Sequence, residues 1–250
     1  MKVSEEELEI FSRQLILNEF NLKSFNKLQN ENISIVGMGG IGCPLAQYLI
    51  SCGIRNLDFF DNDIIKKNNL NRQTLFTIKD LNQSKTLVAK KKLLQINPHA
   101  NINSYNKKIA KNNLKLLKNA SIIIDASDNW LTMKLVNSYA STNNIPLISC
   151  SVLGFDIQLI LFKNIKNKHL CLECIFPNKK EPSLARCDSV GILGTTAGLA
   201  GVLSAQKTIN FLMDFPENNE LLTLINTKTL SINHIKVKKK NNCRIQKIKN

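Results

Sequence analysis

Ile33-Ser-Ile-Val-Gly37-Met-Gly39-Gly40-Ile-Gly42, followed by a helical segment and then Leu57-Asp-Phe-Phe-Asp61, is the stretch from which the rest of the chain is read. The β-branched residues Ile33, Ile35 and Val36 lie in an apolar run that marks a buried strand. Glycines follow at once. Gly37 permits a tight turn, Gly39 and Gly40 let a phosphate approach the main chain, and Gly42 lets the next helix pack on the sheet. Free N–H groups at the start of that helix, at the positive end of its dipole, face the anion. Asp61 ends the second strand, where a carboxylate can accept from ribose hydroxyls. This is a nucleotide site in outline, and the outline alone does not choose between NAD, FAD and ATP.

Outward from that stretch, strand and helix alternate. Ser4 and Glu7 form a capping box, and Leu8, Phe11 and Leu15 then recur at helical spacing, so the chain opens on one amphipathic helix carrying Arg13 near its end. A short helix or turn over Phe25–Asn32 leads into the first strand. Pro44 suits the first helical turn after the glycines, Leu45, Leu49 and Ile50 supply the inner face, and Gly53 closes the helix. Lys85–Leu94 reads as a helix stopped by Asn97-Pro98. Ile102–Tyr105 is a short strand and Asn113–Lys118 a short helix. Ala120–Ile124 is a buried strand ending at Asp125-Ala-Ser-Asp128-Asn129, Trp130–Ser141 a helix and Pro146–Ser149 a strand.

That alternation specifies a parallel sheet. From Phe155 to Phe162 no helix follows, so antiparallel strands begin there. A long helix from about Gly191 to Leu212 and closing strands at Leu222–Ile225 and Ser231–Val237 complete the chain. The fold class expected is α/β and Rossmann-like: a mostly parallel central sheet, continued by antiparallel strands in the C-terminal half, with helices on both faces. The division expected is a single domain over 1–250, with N-terminal helices over 1–30, a nucleotide-binding half over 31–150, a second half over 151–237 and a basic tail over 238–250.

The 250 residues are enough for a sizeable core, and 43% hydrophobic content fits a globular protein. The formal net charge is +15, from 34 Lys+Arg against 19 Asp+Glu. A basic excess suits an acidic partner or nucleic acid. No helix-turn-helix, zinc-finger or aromatic-platform pattern accompanies it, and AT-rich coding alone would enrich Asn, Lys and Ile, so nucleic acid is not the expected partner. Seven scattered cysteines lack a secreted-scaffold spacing. The start Met1-Lys-Val-Ser-Glu-Glu-Glu lacks an apolar signal core. Reduced thiols and a cytoplasmic location are therefore expected. Ser189–Gln206 is uncharged, but its glycines, threonines and glutamine read as a helix buried in protein, not in a membrane.

Strand ends deliver Gly39, Gly40, Asp61 and Asp128-Asn129, and neighbouring loops deliver Arg72 and Lys85. Asp128 is the Mg²⁺ candidate, because Mg²⁺ combines one or two carboxylates with substrate phosphates. Arg72 and Lys85 would neutralise a polyphosphate. The order and spacing of Ser12-Arg13-Gln14, Gly37-Met-Gly39-Gly40-Ile-Gly42, Asp61-Asn-Asp63, Asn69-Leu-Asn71-Arg72-Gln73, Lys85, Asn97-Pro98, Asp125-Ala-Ser-Asp128-Asn129, the Cys171/Cys174 pair and Cys187 resemble the ThiF/MoeB/HesA family over about residues 8 to 246.

That family comprises adenylyltransferases of ubiquitin-like sulfur carriers in thiamine and molybdopterin biosynthesis. The resemblance implies ATP-dependent adenylation of a carrier's C-terminal Gly-Gly carboxylate. The acyl-adenylate would then be opened by sulfur from a donor protein of cysteine desulfurase or rhodanese type. By the same resemblance the cofactor-binding set is Gly37, Gly39, Gly40, Gly42, Asp61, Asn69, Arg72, Lys85, Asp128 and Asn129. Arg13 would reach the ATP of the other subunit in a homodimer. Cys187 lies where some relatives place a thiol that links covalently to the carrier and others a dispensable one; a covalent role would need its pKa lowered by Arg186 and a helix N-terminus, and an inert loop cysteine is the alternative.

Zinc in such relatives takes two C-x-x-C pairs. Here Cys171-Leu-Glu-Cys174 is intact, while the second pair reads Cys243-Arg-Ile-Gln246, leaving three cysteines with His169 or His234 to complete a site. An NAD-dependent oxidoreductase would use the glycine turn and Asp61 equally well, but it leaves Asn69, Arg72, Lys85 and Asp128 without a task. A relative activating a different carboxylate, or one that only binds a ubiquitin-like partner, is the other alternative.

Overall fold

The computed structural model describes residues 3–164, 170–176, 191–216 and 221–239. The strands are β1 (Asn32–Val36), β2 (Asn56–Phe60), β3 (Asn101–Tyr105), β4 (Ile122–Asp125), β5 (Leu147–Leu153), β6 (Asp156–Phe162), β7 (Leu221–Asn226) and β8 (Ser231–Lys236). They form one sheet in the order β3-β2-β1-β4-β5-β6-β7-β8. The first five run parallel; β6, β7 and β8 join as antiparallel neighbours. The fold class is the one expected from the sequence.

The strand order reverses at β1. From β1 the chain winds outward through β2 to β3, then returns to place β4 on the other side of β1. The register puts the last residue of β1, Val36, level with Phe60 of β2 and Asp125 of β4. The residues that follow these ends, Gly37, Asp61 and Ala126, therefore emerge at one edge. Gly37 N–H donates to Phe60 O at 2.8 Å and Ala126 N–H to Val36 O at 2.9 Å. This reversal is the switch point at which open α/β sheets take their ligands.

Both faces of the centre of the sheet are covered, as period-2 alternation between two apolar clusters requires, while β8 at the edge is exposed along its length. Ile33, Ile35, Leu57, Phe59, Ile122 and Ile124 belong to one cluster. Val36, Phe60, Ile123 and Leu147 belong to the other. The first is closed by α3 (Leu22–Asn30), α4 (Gly42–Ser51), α5 (Lys85–Ile96) and α8 (Gly194–Leu212); the second by α6 (Trp130–Asn143) and α7 (Leu172–Ile175). Helix α8 is the helix that the uncharged stretch promised, buried against α4. A side chain at Gly201 would stand 2.5 Å from both Ile41 O and Pro44 Cγ.

The opening differs from the single helix expected. It is α1 (Glu5–Ile10) and α2 (Ser12–Leu15), broken at Phe11. Phe11 leaves helical geometry and packs its ring 4.8 Å from that of Phe25, so tertiary burial interrupts a pattern that alone would continue. The capping box is present: Glu7 N–H donates to Ser4 Oγ at 3.2 Å, and Ser4 N–H donates back to Glu7 Oε2 at 3.1 Å. Glu7 does more than cap. Only 3% exposed, it pairs with Arg55 at the start of β2 and accepts from Gln29 Nε2 at 2.9 Å. Burial raises its carboxyl, but Arg55, the Ser4 N–H and Gln29 outweigh that and hold it below its usual range.

Candidate active site

The turn after β1 is shaped by two glycines. Gly37 has φ +97°, and a side chain there would strike Ala126 O at 2.8 Å. Gly42 begins α4 under the turn, where a Cβ would lie 2.1 Å from Gly37 O. Gly42 thus lets helix and turn close on each other and stands outside the crevice wall. Met38 N–H is already committed, donating to Asp61 Oδ2 at 2.8 Å. The N–H groups of Gly39, Gly40 and Ile41 donate to no main-chain carbonyl among the described residues. They precede the first turn of α4 and form the anion-facing end of a helix.

A crevice of about 760 Å³ opens at the switch point. Its wall includes Gly37, Gly39, Gly40, Asp61, Asn69, Arg72, Lys85, Asp128 and Asn129, all expected from the sequence. Asp61 is fixed by two main-chain donors, Met38 N–H and, at 2.8 Å, Asp63 N–H. Each carboxylate oxygen keeps a further lone pair for a ligand hydroxyl. Asn69 is buried and holds its loop in shape: its Oδ1 accepts from Lys66 N–H at 3.1 Å. Arg72 Nη1 donates to Asn68 O at 2.9 Å and to Asn71 Oδ1 at 3.1 Å, which aims the rest of the guanidinium fork. Lys85 begins α5, is 5% exposed, and pairs with Asp63 at 2.9 Å.

Asp128 is exposed on the crevice wall, and no hydrogen bond or ion pair engages its carboxylate among the described residues. A single unengaged carboxylate on the same crevice wall as a turn of main-chain N–H groups unpaired among the described residues is a donor set that would suit Mg²⁺ carried by phosphates. Asn129 has a structural duty that the sequence reading missed. Its Oδ1 caps α6, accepting from Thr132 N–H at 3.0 Å. Two strong features were also missed. Gln73, 3% exposed, lines the crevice with an Oε1 that finds no donor. Asp125 is fully buried at the end of β4. Its Oδ1 accepts from Ser127 Oγ at 2.6 Å, while Oδ2 has no partner. Burial, opposed by Ser127 and reinforced by Asp128, pushes its carboxyl up to about 6. Both lay inside quoted motifs, and only burial distinguishes them.

Arg13 is exposed on α2 and does not line this crevice. Cys187, Arg186, Cys243, Gln246, His169 and nearly all of the tail over 238–250 lie outside the described residues. Cys171 and Cys174 are buried with sulfurs 3.8 Å apart, about the separation of two thiolates on one tetrahedral zinc at 2.3 Å. They would supply two of its four ligands, and no cluster of three metal-ligating side chains occurs among the described residues. His234 instead meets Thr223 Oγ1 at 3.2 Å on the exposed β8. Cys43 and Cys150 are no nucleophiles, since burial pushes both thiols up to about 12. No helix of the described residues is long and apolar enough to cross a membrane.

The sequence and the fold both have relatives among known proteins. The chain is 37% identical over 205 residues to the adenylyltransferase and sulfurtransferase MOCS3 of Drosophila virilis, covering 81% of this chain and 45% of that protein. It is 32% identical over 203 residues to the sulfur carrier protein ThiS adenylyltransferase of Escherichia coli, covering 81% and 80%. The chain thus spans about half the length of the MOCS3 relatives it matches. Among solved structures, Escherichia coli MccB superposes with TM-score 0.83 at 23% identity, over 95% of this chain and 74% of that one. MccB with ATP superposes with TM-score 0.78 at 22% identity, over 98% and 82%. The ThiF family model matches residues 11–245, and the chain belongs to the ThiF family.

Proposed function

We propose that this chain is an ATP-dependent adenylyltransferase acting on the C-terminal Gly-Gly carboxylate of a ubiquitin-like sulfur carrier, in thiamine or molybdopterin biosynthesis. One observation carries the reading. The glycine turn, Arg72, Lys85 and the unengaged Asp128 share one crevice at the sheet's switch point. The sulfur-carrier adenylyltransferases among its relatives support the substrate class, and the likeness to MccB solved with ATP is compatible with the nucleotide.

The chemistry follows from positioning. N–H groups of Gly39, Gly40 and Ile41 hold phosphate oxygens, and Asp61 accepts from the ribose. Arg72 and Lys85 balance the negative charge that gathers on the departing pyrophosphate. Asp128 would hold Mg²⁺, which when bound supplies charge neutralisation across the phosphates. The carrier's carboxylate oxygen forms a bond to the α-phosphorus as the bond from that phosphorus to the bridging oxygen breaks. The electron pair leaves with pyrophosphate. No protein base is required, because a terminal carboxylate with a pKa of about 3.5 is already ionised at neutral pH. Holding both reactants in one crevice keeps them in line, which replaces a bimolecular encounter.

The test is ATP–pyrophosphate exchange. Exchange stimulated by a Gly-Gly-tailed carrier, and lost when the tail is truncated, is the expected result. Nicotinamide binding with no exchange for any carrier would overturn the reading.

A further inference from the structure

Gln73 stands in the crevice wall with a requirement that the protein itself does not meet. Its main chain is locked: its N–H donates to Asn69 O at 3.0 Å, and its carbonyl accepts from Phe76 N–H at 3.0 Å. Its side chain is 3% exposed, and its Oε1 is buried without a donor. The amide lies over the glycine turn. Its Nε2 is the nearest atom to the position a Cβ on Gly39 would take, at 3.8 Å. Whichever way the amide is turned, one edge donates and the other accepts. A buried acceptor left unpaired is costly, and in a binding crevice it marks a place where a ligand supplies the partner.

The ligands proposed above differ in what they supply. Phosphate oxygens and a carboxylate only accept. Ribose hydroxyls donate, but Asp61 faces them, and the adenine amino group donates at the end of the nucleotide remote from its phosphates. The incoming polypeptide has one donor close to the reaction: the N–H of its last glycine, separated from the reacting carboxylate by a single carbon. A group beside the α-phosphate is therefore within reach of that N–H. We propose that Gln73 is a positioning residue that bridges the two substrates. Its Nε2–H donates to a phosphate oxygen held on the turn of Gly39 and Gly40, and its Oε1 accepts the N–H of the terminal glycine. The bridge sets the direction from which the carboxylate meets the phosphorus, and it selects a peptide terminus over a free small acid. This inference rests on the adenylyltransferase reading.

The experiment is a two-by-two cycle read by ATP–pyrophosphate exchange. Wild type and Gln73→Met are compared with two carriers: one ending in Gly-Gly, the other made by semisynthesis with glycolate as its last unit. The second keeps the carboxylate and replaces the N–H by an ester oxygen. Wild type should lose about tenfold in kcat/KM on going from amide to ester, while Gln73→Met loses little more. Gln73→Met should also raise KM for ATP. Gln73→Glu, which keeps the acceptor and loses the donor, should retain the amide-over-ester preference while binding ATP more weakly. Equal losses on ester substitution in wild type and Gln73→Met would overturn the bridge and leave the adenylyltransferase reading intact. An absence of exchange by wild type with every carrier would overturn that reading and the bridge with it. Thermal melts of each variant separate misfolding from lost positioning; if Gln73→Met melts early, Gln73→Leu, which also lacks the acceptor, takes its place in the cycle.

Discussion

Asp125 and Asp128 are three residues apart and do opposite things. Asp128 is exposed to the crevice and unengaged, so its removal should cost chemistry and not stability. Asp128→Ala is expected to abolish carrier-dependent ATP–pyrophosphate exchange with its melting temperature unchanged. Full exchange in that variant would remove Asp128 from the metal role. Asp125 is buried with one oxygen unpartnered, and its carboxyl is raised to about 6 by burial first and by Asp128 last, against the two donations from Ser127.

The sign follows from the direction of that shift. The folded state keeps a proton that the unfolded chain releases near 3.8. The stability it contributes is full below that value and disappears as pH rises through about 6. Asp125→Asn should therefore flatten the fall in urea midpoint across that window. A slope equal to wild type would show that another group sets it. Two aspartates of one motif cannot be told apart by residue type; their depth in the sheet separates them.

At the scale of elements, α4 and α8 touch through glycine. Gly201 sits against Ile41 O and Pro44 Cγ, whereas a side chain at Gly198 on the same helix would meet nothing within 4 Å. Gly201→Ala should destabilise by about 1–3 kcal/mol through overpacking, and Gly198→Ala should stabilise by about 0.5–1 kcal/mol through lower backbone entropy in the unfolded chain. Denaturant melts of the two variants check the pair, and equal shifts would mean that helix propensity alone acts at both sites. The contrast matters for function because α8 begins at the crevice. A side chain at Gly194 would stand 2.3 Å from Asn71 O, and Ala197 lines the wall. The close seating of α8 holds the loop that carries Arg72. Helix spacing, glycine and proline announced both helices in the sequence. Which glycine is indispensable depends on neighbours, Ile41 and Pro44, that are distant along the chain.

At the scale of the molecule, the crevice of one chain holds every expected nucleotide residue except Gly42, which packs beneath it, and Arg13, which lies outside it. We expect Arg13 to act across a two-fold interface, completing the site of a second copy. Arg13→Ala and Asp128→Ala should each be inactive alone. Mixing the two after unfolding and refolding together should restore partial exchange, because one heterodimer then carries a site with both residues intact. No recovery from a mixture shown to contain heterodimer would reject action in trans.

Local chemistry in the chain was enough to determine the layering. Apolar runs bounded by glycine or proline mark strands and helices, their alternation dictates parallel pairing, and the loss of alternation after Phe155 marks the antiparallel end. The glycine turn and Asp61 announced the crevice at the switch point, because glycine conformations and strand-end carboxylates act within a few residues of themselves. Three-dimensional packing decided what depends on distant partners. It broke the first helix where Phe11 meets Phe25. It buried Asp125 and left Asp128 exposed. It set Gln73 over the turn with an acceptor unsatisfied. Burial is a property of what surrounds a residue, and those surroundings come from segments that no sequence motif names.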